Sequence, residues 1–124
     1  MNNSVRFIDF PYYSDHRGHV YPFEFEGLPF APQRIFFTTA SESGIVRGQH
    51  GHFICEQVLF SLNGSIVVKV MKEGVKSEFC LEPNGKALYI PAGIWASQLF
   101  TTGEEILGCI ASHVYDPTEF FSEY

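Results

Sequence analysis

Tight-turn chemistry punctuates this chain every several residues, and nothing else in it restricts the fold as strongly. Asn63-Gly64, Glu73-Gly74, Pro83-Asn84-Gly85 and Thr102-Gly103 each supply residues that tolerate the positive φ of a hairpin turn. Between them run short segments of β-branched and aromatic residues, with almost no helical periodicity. Strands are expected near Val5–Asp9, His19–Phe25, Arg34–Thr39, Val46–His52, Gln57–Leu62, Ile66–Met71, Ser77–Leu81, Ala87–Ile90, Ser97–Phe100 and Glu105–Ser112. Many short strands with close turns specify an all-β sandwich or barrel, not alternating βα units. The one helical signal is terminal. Asp116-Pro117-Thr118-Glu119 offers an N-cap, a proline at the first helical position and a capping-box acid. A short helix over Thr118–Glu123 is expected to pack Phe120, Phe121 and Tyr124 on the barrel.

The 124 residues allow one domain with one core, spanning 1–124, and a chain of that length buries enough surface to fold without disulfide or metal staples. The 13 Phe and 6 Tyr favour strands. No apolar run approaches the length of a membrane span and Met1–Ser4 does not open a signal peptide, which predicts a cytoplasmic protein without a membrane partner. Cys55, Cys80 and Cys109 have no metal-like spacing and read as reduced core thiols. The net charge of −6 argues against a nucleic-acid surface. It leaves room for a phosphorylated small molecule, because a few arginines in a pocket can hold a diphosphate whatever the total charge.

The chemistry concentrates in Gly44-Ile-Val-Arg-Gly-Gln-His50-Gly-His52, continuing through Glu56-Gln57 to Gly64. Histidines at i and i+2 of a strand share a face, so a barrel interior would receive both rings. Glu56 or Gln57 could reach the same interior from the next strand. His16 and His19 lie in or beside a turn and read as solvent-facing, and His113 is read as lying outside the pocket.

The HxH pair, the acid or amide after it and the glycine closing the hairpin resemble the first cupin motif. Gly85, Pro91 and Gly93 resemble the second, whose final histidine is replaced here by Ala96. A metal-binding cupin would use that histidine, so the fourth ligand is missing; Glu56 and water are the remaining route to a metal site. The chain as a whole resembles the WxcM-like nucleotide-sugar 3,4-ketoisomerases, which act on dTDP-4-keto-6-deoxyglucose. The resemblance rests on Asp15-His-Arg17-Gly18, Leu28-Pro29-Phe30, Arg34-Ile-Phe-Phe, Arg47-Gly48-Gln-His50-Gly-His52, Glu56-Gln57-Val-Leu, Pro91-Ala-Gly-Ile-Trp95, Ser112-His-Val-Tyr115-Asp116 and the terminal Phe-Phe-Ser-Glu-Tyr124. It implies a cupin double-stranded β-helix (jelly-roll) barrel with no metal and no cofactor. It also implies a homodimer, with N-terminal strands paired onto the partner. The catalytic candidates become His50 and His52. The candidates for binding the dTDP-linked keto-sugar are Arg47, Arg34, Gln57, Trp95 and Arg17. Two positions depart from the family: Phe36 and Phe37 stand where relatives commonly have tyrosine, and Ala96 stands where many have histidine.

The reaction so implied is a tautomerisation serving deoxy-amino-sugar (O-antigen or other glycan) biosynthesis. A base removes the C3 proton beside the C4 ketone, an enediol forms, and a proton returns at C4. Histidine has the near-neutral pKa this requires, a neighbouring imidazole can serve the oxygens, and an apolar lining, for which Trp95, Tyr89 and the phenylalanines are candidates, would exclude water. The alternatives are epimerisation of a related nucleotide keto-sugar, sugar or nucleotide binding without catalysis, and a metal-dependent dioxygenase.

Overall fold

The structure is a computed structural model and describes residues 4–122. The strands are β1 (Arg6–Asp9), β2 (Tyr13–Asp15), β3 (Gly18–Val20), β4 (Arg34–Thr39), β5 (Ile45–His52) and β6 (Gln57–Asn63). There follow β7 (Ile66–Lys72), β8 (Val75–Leu81), β9 (Lys86–Ile90), β10 (Trp95–Phe100), β11 (Ile106–Ala111) and β12 (Phe120–Phe121). They form two five-stranded sheets, β1-β9-β6-β11-β4 and β12-β5-β10-β7-β8, with β2 and β3 as a separate hairpin. All pairings are antiparallel. This is the expected jelly-roll architecture. The Glu73-Gly74 turn between β7 and β8 holds φ of 52° and 79°, the left-handed pair that matches the strand twist.

The main core lies between the sheets and includes Leu59, Ile66, Val68, Leu81, Leu88, Ile90, Phe100 and Leu107. A second cluster covers the other face of the first sheet, where Phe10, Val58, Phe60, Ala87, Tyr89 and Ile110 pack under Phe23, Leu28 and Phe30. The expectation of one core is corrected by this layer. Strands β6, β9 and β11 are buried on both faces, and their near-continuous apolar runs follow from that. Of the three cysteines, Cys55 and Cys109 are buried and Cys80 is exposed. Cys80 sits on a strand whose residues 75–78 are also exposed, so a neighbouring apolar run did not make it a core thiol.

Two expected elements differ. The strand over His19–Phe25 is replaced by the β2–β3 hairpin and a 3-10 turn at Phe25–Gly27. Pro22 has no N–H for a ladder and biases the residue before it, and β3 stops at Val20. The terminal helix is one 3-10 turn, Pro117–Glu119, with Asp116 accepting from the Thr118 N–H as an N-cap. The chain then extends, and Phe120 and Phe121 pair with His52 and Gly51 along β5. Edge pairing satisfies backbone groups along β5 and half-buries the two rings. The predicted packing of Phe120 and Phe121 on the barrel holds; Glu123 and Tyr124 lie outside the described residues.

Glu105 closes the turn before β11. The residue is 2% exposed, and its carboxylate accepts from Thr101 Oγ1, the Thr102 N–H and the Gly103 N–H at 3.0, 2.9 and 2.9 Å. Burial alone would raise its pKa, but these donors outweigh it and hold the group at about 2. A carboxyl depressed in the folded state stabilises above its unfolded pKa, and that contribution disappears as pH falls through the folded value. The stability gap between wild type and Glu105→Gln in urea titrations should therefore be full at pH 7 and shrink between about pH 4.5 and 2. A constant gap would show that the charge contributes nothing.

Candidate active site

One cavity of about 230 Å3 opens between the sheets. From β4 it receives Arg34, Phe36 and Thr38; from β5, Arg47, Gly48, His50 and His52; from β6, Gln57 and Leu59. Ala96 and Gln98 of β10 line it, as do Cys55, Ile94, Tyr115 and Phe120. The two imidazoles face each other at 5.0 Å between ring centroids and 71° between planes.

Arg47 and His50 are three residues apart, which on a regular strand would set them on opposite faces. A register shift resolves this: Ala96 pairs with His50 while Ser97 pairs with Gly48, leaving Gln49 as an extra residue. Gln49 has φ 60° and Gly48 φ 81°, the local geometry of a β-bulge, which re-aims a strand beside a site. Glycine is favoured at 48 by its φ of 81°, a left-handed conformation that a Cβ would strain.

Each ring is fixed by its Nδ1. His50 Nδ1–H donates to the Gly48 carbonyl at 2.9 Å, so Nε2 carries the lone pair in the neutral ring. The His50 ring also stacks on Phe120, at 4.7 Å and 10°. His52 is 8% exposed; its Nδ1 meets Glu119 Oε1 at 2.5 Å and its Nε2 meets the Gln57 amide nitrogen at 3.3 Å. Burial lowers the His52 pKa against an upward pull from Glu119, with His50 and Arg34 adding to the lowering. Burial also presses the Glu119 carboxyl upward, yet the Ile54 N–H, the His52 ring and the Cys55 N–H hold it below the ordinary range. The ring and the carboxylate therefore rest as neutral imidazole and anion near pH 7.

Arg34 lies with its guanidinium over the Phe36 and Tyr115 rings, at 4.3 and 5.4 Å. Its Nε is buried without a hydrogen-bond partner among the described residues. Arg47 spends one N–H on the Thr39 carbonyl at 3.3 Å and keeps others.

His50, His52, Arg47, Arg34 and Gln57 thus meet in one cavity. Two expected site residues do not. Trp95 lies on the outer face of β10, beside Val46, Val67 and Leu99, and its Nε1–H donates to the Ser122 carbonyl; alternation along the strand gives the inward position to Ala96. Arg17 sits on the β2–β3 hairpin, paired with Asp15 at 2.5 Å and outside this cavity. Tyr89 and Glu56 are also elsewhere, bonded to each other on the face of the second cluster. Glu56 therefore cannot complete a facial triad with the histidines. As expected, His16 and His19 are exposed, and His113 lies outside the cavity lining.

The sequence reading missed Glu119, Phe120, Tyr115, Thr38 and Gln98. Tyr115 restores a phenol to a cavity in which Phe36 provides none. Phe37, the other departure, is 55% exposed and is absent from the cavity lining. Among the described residues, one set of donors could hold a metal: His52, Cys55 and Glu119, with ligand atoms within 4.8 Å of one another. A cation there would displace the hydrogen bond between His52 and Glu119.

A family model described as FdtA: WxcM-like, C-terminal, matches residues 3–124. The chain belongs to the FdtA family. Among proteins similar to this FdtA family member is the TDP-4-oxo-6-deoxy-alpha-D-glucose-3,4-oxoisomerase of Aneurinibacillus thermoaerophilus, 29% identical over 125 residues that cover 100% of this chain and 88% of the relative. Among solved structures, the sugar 3,4-ketoisomerase QdtA of Thermoanaerobacterium thermosaccharolyticum in complex with TDP superimposes with a TM-score of 0.91 at 30% identity, covering 100% of this chain and 91% of that one. A histidine-to-asparagine variant of that ketoisomerase, in complex with TDP-4-keto-6-deoxyglucose, matches equally well, with a TM-score of 0.91 at 30% identity and the same coverage. A dTDP-6-deoxy-D-glucose-3,5-epimerase of Legionella pneumophila shares the fold, with a TM-score of 0.82 at 19% identity over 97% of this chain and 72% of its own.

Proposed function

We propose that this FdtA family member is a 3,4-ketoisomerase of TDP-4-keto-6-deoxyglucose. The observation that carries this reading is the pair of imidazoles, 5.0 Å apart, in a cavity that also holds Arg34 and Arg47. The similarity to ketoisomerases that bind TDP and the 4-keto sugar supports the substrate class.

In the proposed cycle, His50 Nε2 takes the C3 proton. The C–H electrons form the C3–C4 double bond, and the carbonyl electrons move onto O4 to give an enediolate. His52, neutral and with its lone pair on Nε2, takes the O3 proton there and passes it to O4; the O3 electrons then form the C3 ketone, while the double-bond electrons take the proton back from His50 at C4. Every proton removed is replaced, and no redox cofactor is required. Apolar walls from Phe36, Leu59, Ile90 and Leu107 favour this by keeping water from the enediol. Arg34 and Arg47 bind the anionic part of the substrate, with charge-assisted bonds to the diphosphate.

The protein acts in the cytoplasm, in deoxy-amino-sugar formation, and as a homodimer. No helix among the described residues is long and apolar enough to cross a membrane. All six residues of β2 and β3 are exposed, and a two-stranded ribbon is marginal alone, which supports its docking on a second copy, bringing Arg17 with it.

The test is incubation with TDP-4-keto-6-deoxyglucose in deuterated buffer, followed by NMR. A C3 ketone with deuterium at C4 is expected. Label at C3 and C5 with the ketone still at C4 would make the protein an epimerase, and tight binding without exchange would make it a binding protein.

A further inference from the structure

Two residues that hold the histidines, Glu119 on His52 and Phe120 on His50, come from a segment far from them in sequence. Glu119 closes the 3-10 turn after β11, 67 positions beyond His52. It is 8% exposed, and its two oxygens are divided: Oε1 on the ring of His52, Oε2 on the N–H groups of Ile54 and Cys55 at 3.0 and 3.3 Å. The backbone donors fix the carboxylate, and the carboxylate fixes the ring. A carboxylate can only accept, so His52 must carry its proton on Nδ1 and turn Nε2 towards Gln57 and the cavity.

We propose that Glu119 is a positioning residue for the isomerisation, holding His52 in the Nδ1–H tautomer and stabilising the imidazolium through which it passes while protons move between the substrate oxygens. This rests on the ketoisomerase reading above and adds to it a charge partner for one ring. The asymmetry between the rings has a simple electrostatic basis. His50 Nδ1–H faces a neutral peptide carbonyl, whereas His52 Nδ1–H faces a buried anion, which gains far more when the ring becomes cationic. The other groups facing His52 are His50 from the same strand, Arg34 from β4 and the Cys55 thiol. His50 and Arg34 oppose the protonated ring, so the carboxylate is what permits it.

The experiment compares wild type with Glu119→Gln and Glu119→Asp, reading steady-state kinetics and imidazole 15N shifts. In E119Q the amide oxygen can keep the Ile54 and Cys55 N–H bonds while its NH2 donates to Nδ1, which forces the Nε2–H tautomer. A fall in kcat of about 10²–10⁴-fold is expected, the range for losing a positioned acid–base group or its correct tautomer, with KM changed by only a few-fold. The acid limb of the kcat/KM profile should move to lower pH, because the interaction that favours protonated His52 is gone. Glu119→Asp should recover part of kcat and the Nδ1–H tautomer. In the wild type, a strongly downfield His52 Nδ1 proton is expected, a measurement that needs no variant. Its absence would overturn the proposal, as would E119Q retaining kcat within about threefold with an unmoved acid limb. If the wild type forms no 3-keto product, the ketoisomerase reading fails, while the tautomer still reports separately on Glu119.

Discussion

Replacing either cavity histidine by asparagine should abolish useful turnover, with different residual chemistry in the two variants. Asparagine approximates the outline of imidazole and retains hydrogen-bonding capacity, but it does not take up a proton near pH 7. A positioned general acid or base contributes about 10²–10⁴-fold, and kcat should fall by that much in each case. His50 carries its lone pair on Nε2 because Nδ1 is committed to the Gly48 carbonyl, so His50→Asn removes the carbon base. In deuterated buffer its substrate should show no exchange at C3. His52→Asn leaves that base in place and removes the group serving the oxygens, so slow exchange at C3 should outlast net isomerisation. NMR of the recovered substrate distinguishes the two. Full activity in both variants would sink the acid–base assignment.

The next largest effect is expected from a single methyl group between the histidines. A Cβ at Gly51 would lie 2.3 Å from Phe121 Cζ and 2.8 Å from the Ile94 carbonyl oxygen. The second of these is backbone and gives little, so β5 must shift against the Ile94 segment while the Phe121 ring of β12 is pushed aside. Such overpacking costs about 1–3 kcal/mol, and β12 begins immediately after Glu119 and contains Phe120. Gly51→Ala should therefore lower kcat by about 10²-fold, the scale of a 1 Å misplacement of catalytic groups, with a smaller loss of melting temperature. Adding Phe121→Ala removes the nearest contact and should return part of the activity, a non-additivity that a double-mutant cycle measures. Equal and additive losses would show that Gly51 acts by other means.

Much of the site was legible in sequence because its parts are local. His50 and His52 share a face through strand alternation alone, and Gln57 follows at the start of the next strand. The second motif exposed Ala96 where a metal ligand would stand. Turn residues separated the strands from β6 to β9 and β10 from β11, since positive φ is a property of single residues. Trp95 was misjudged because motif resemblance says which residue recurs but not its parity: Ala96, one position on, takes the inward place. Arg17 lies on a hairpin outside the cavity of its own chain, a placement on which local pattern is silent.

The amino-acid sequence by itself determined the all-β class, the tight turns from Asn63 to Gly103 and the two histidines, all consequences of local conformational preference and of period-two geometry. Tertiary structure alone decided how those histidines are equipped. The bulge at Gln49 turned Arg47 inward although spacing set it outward. The final turn was drawn from a helical signal into a strand pairing that carried Glu119 to His52 and Phe120 to His50. A carboxylate 67 positions away in the chain leaves no mark on local pattern. Its partner is chosen by which strand edge is open and which buried N–H groups still need an acceptor.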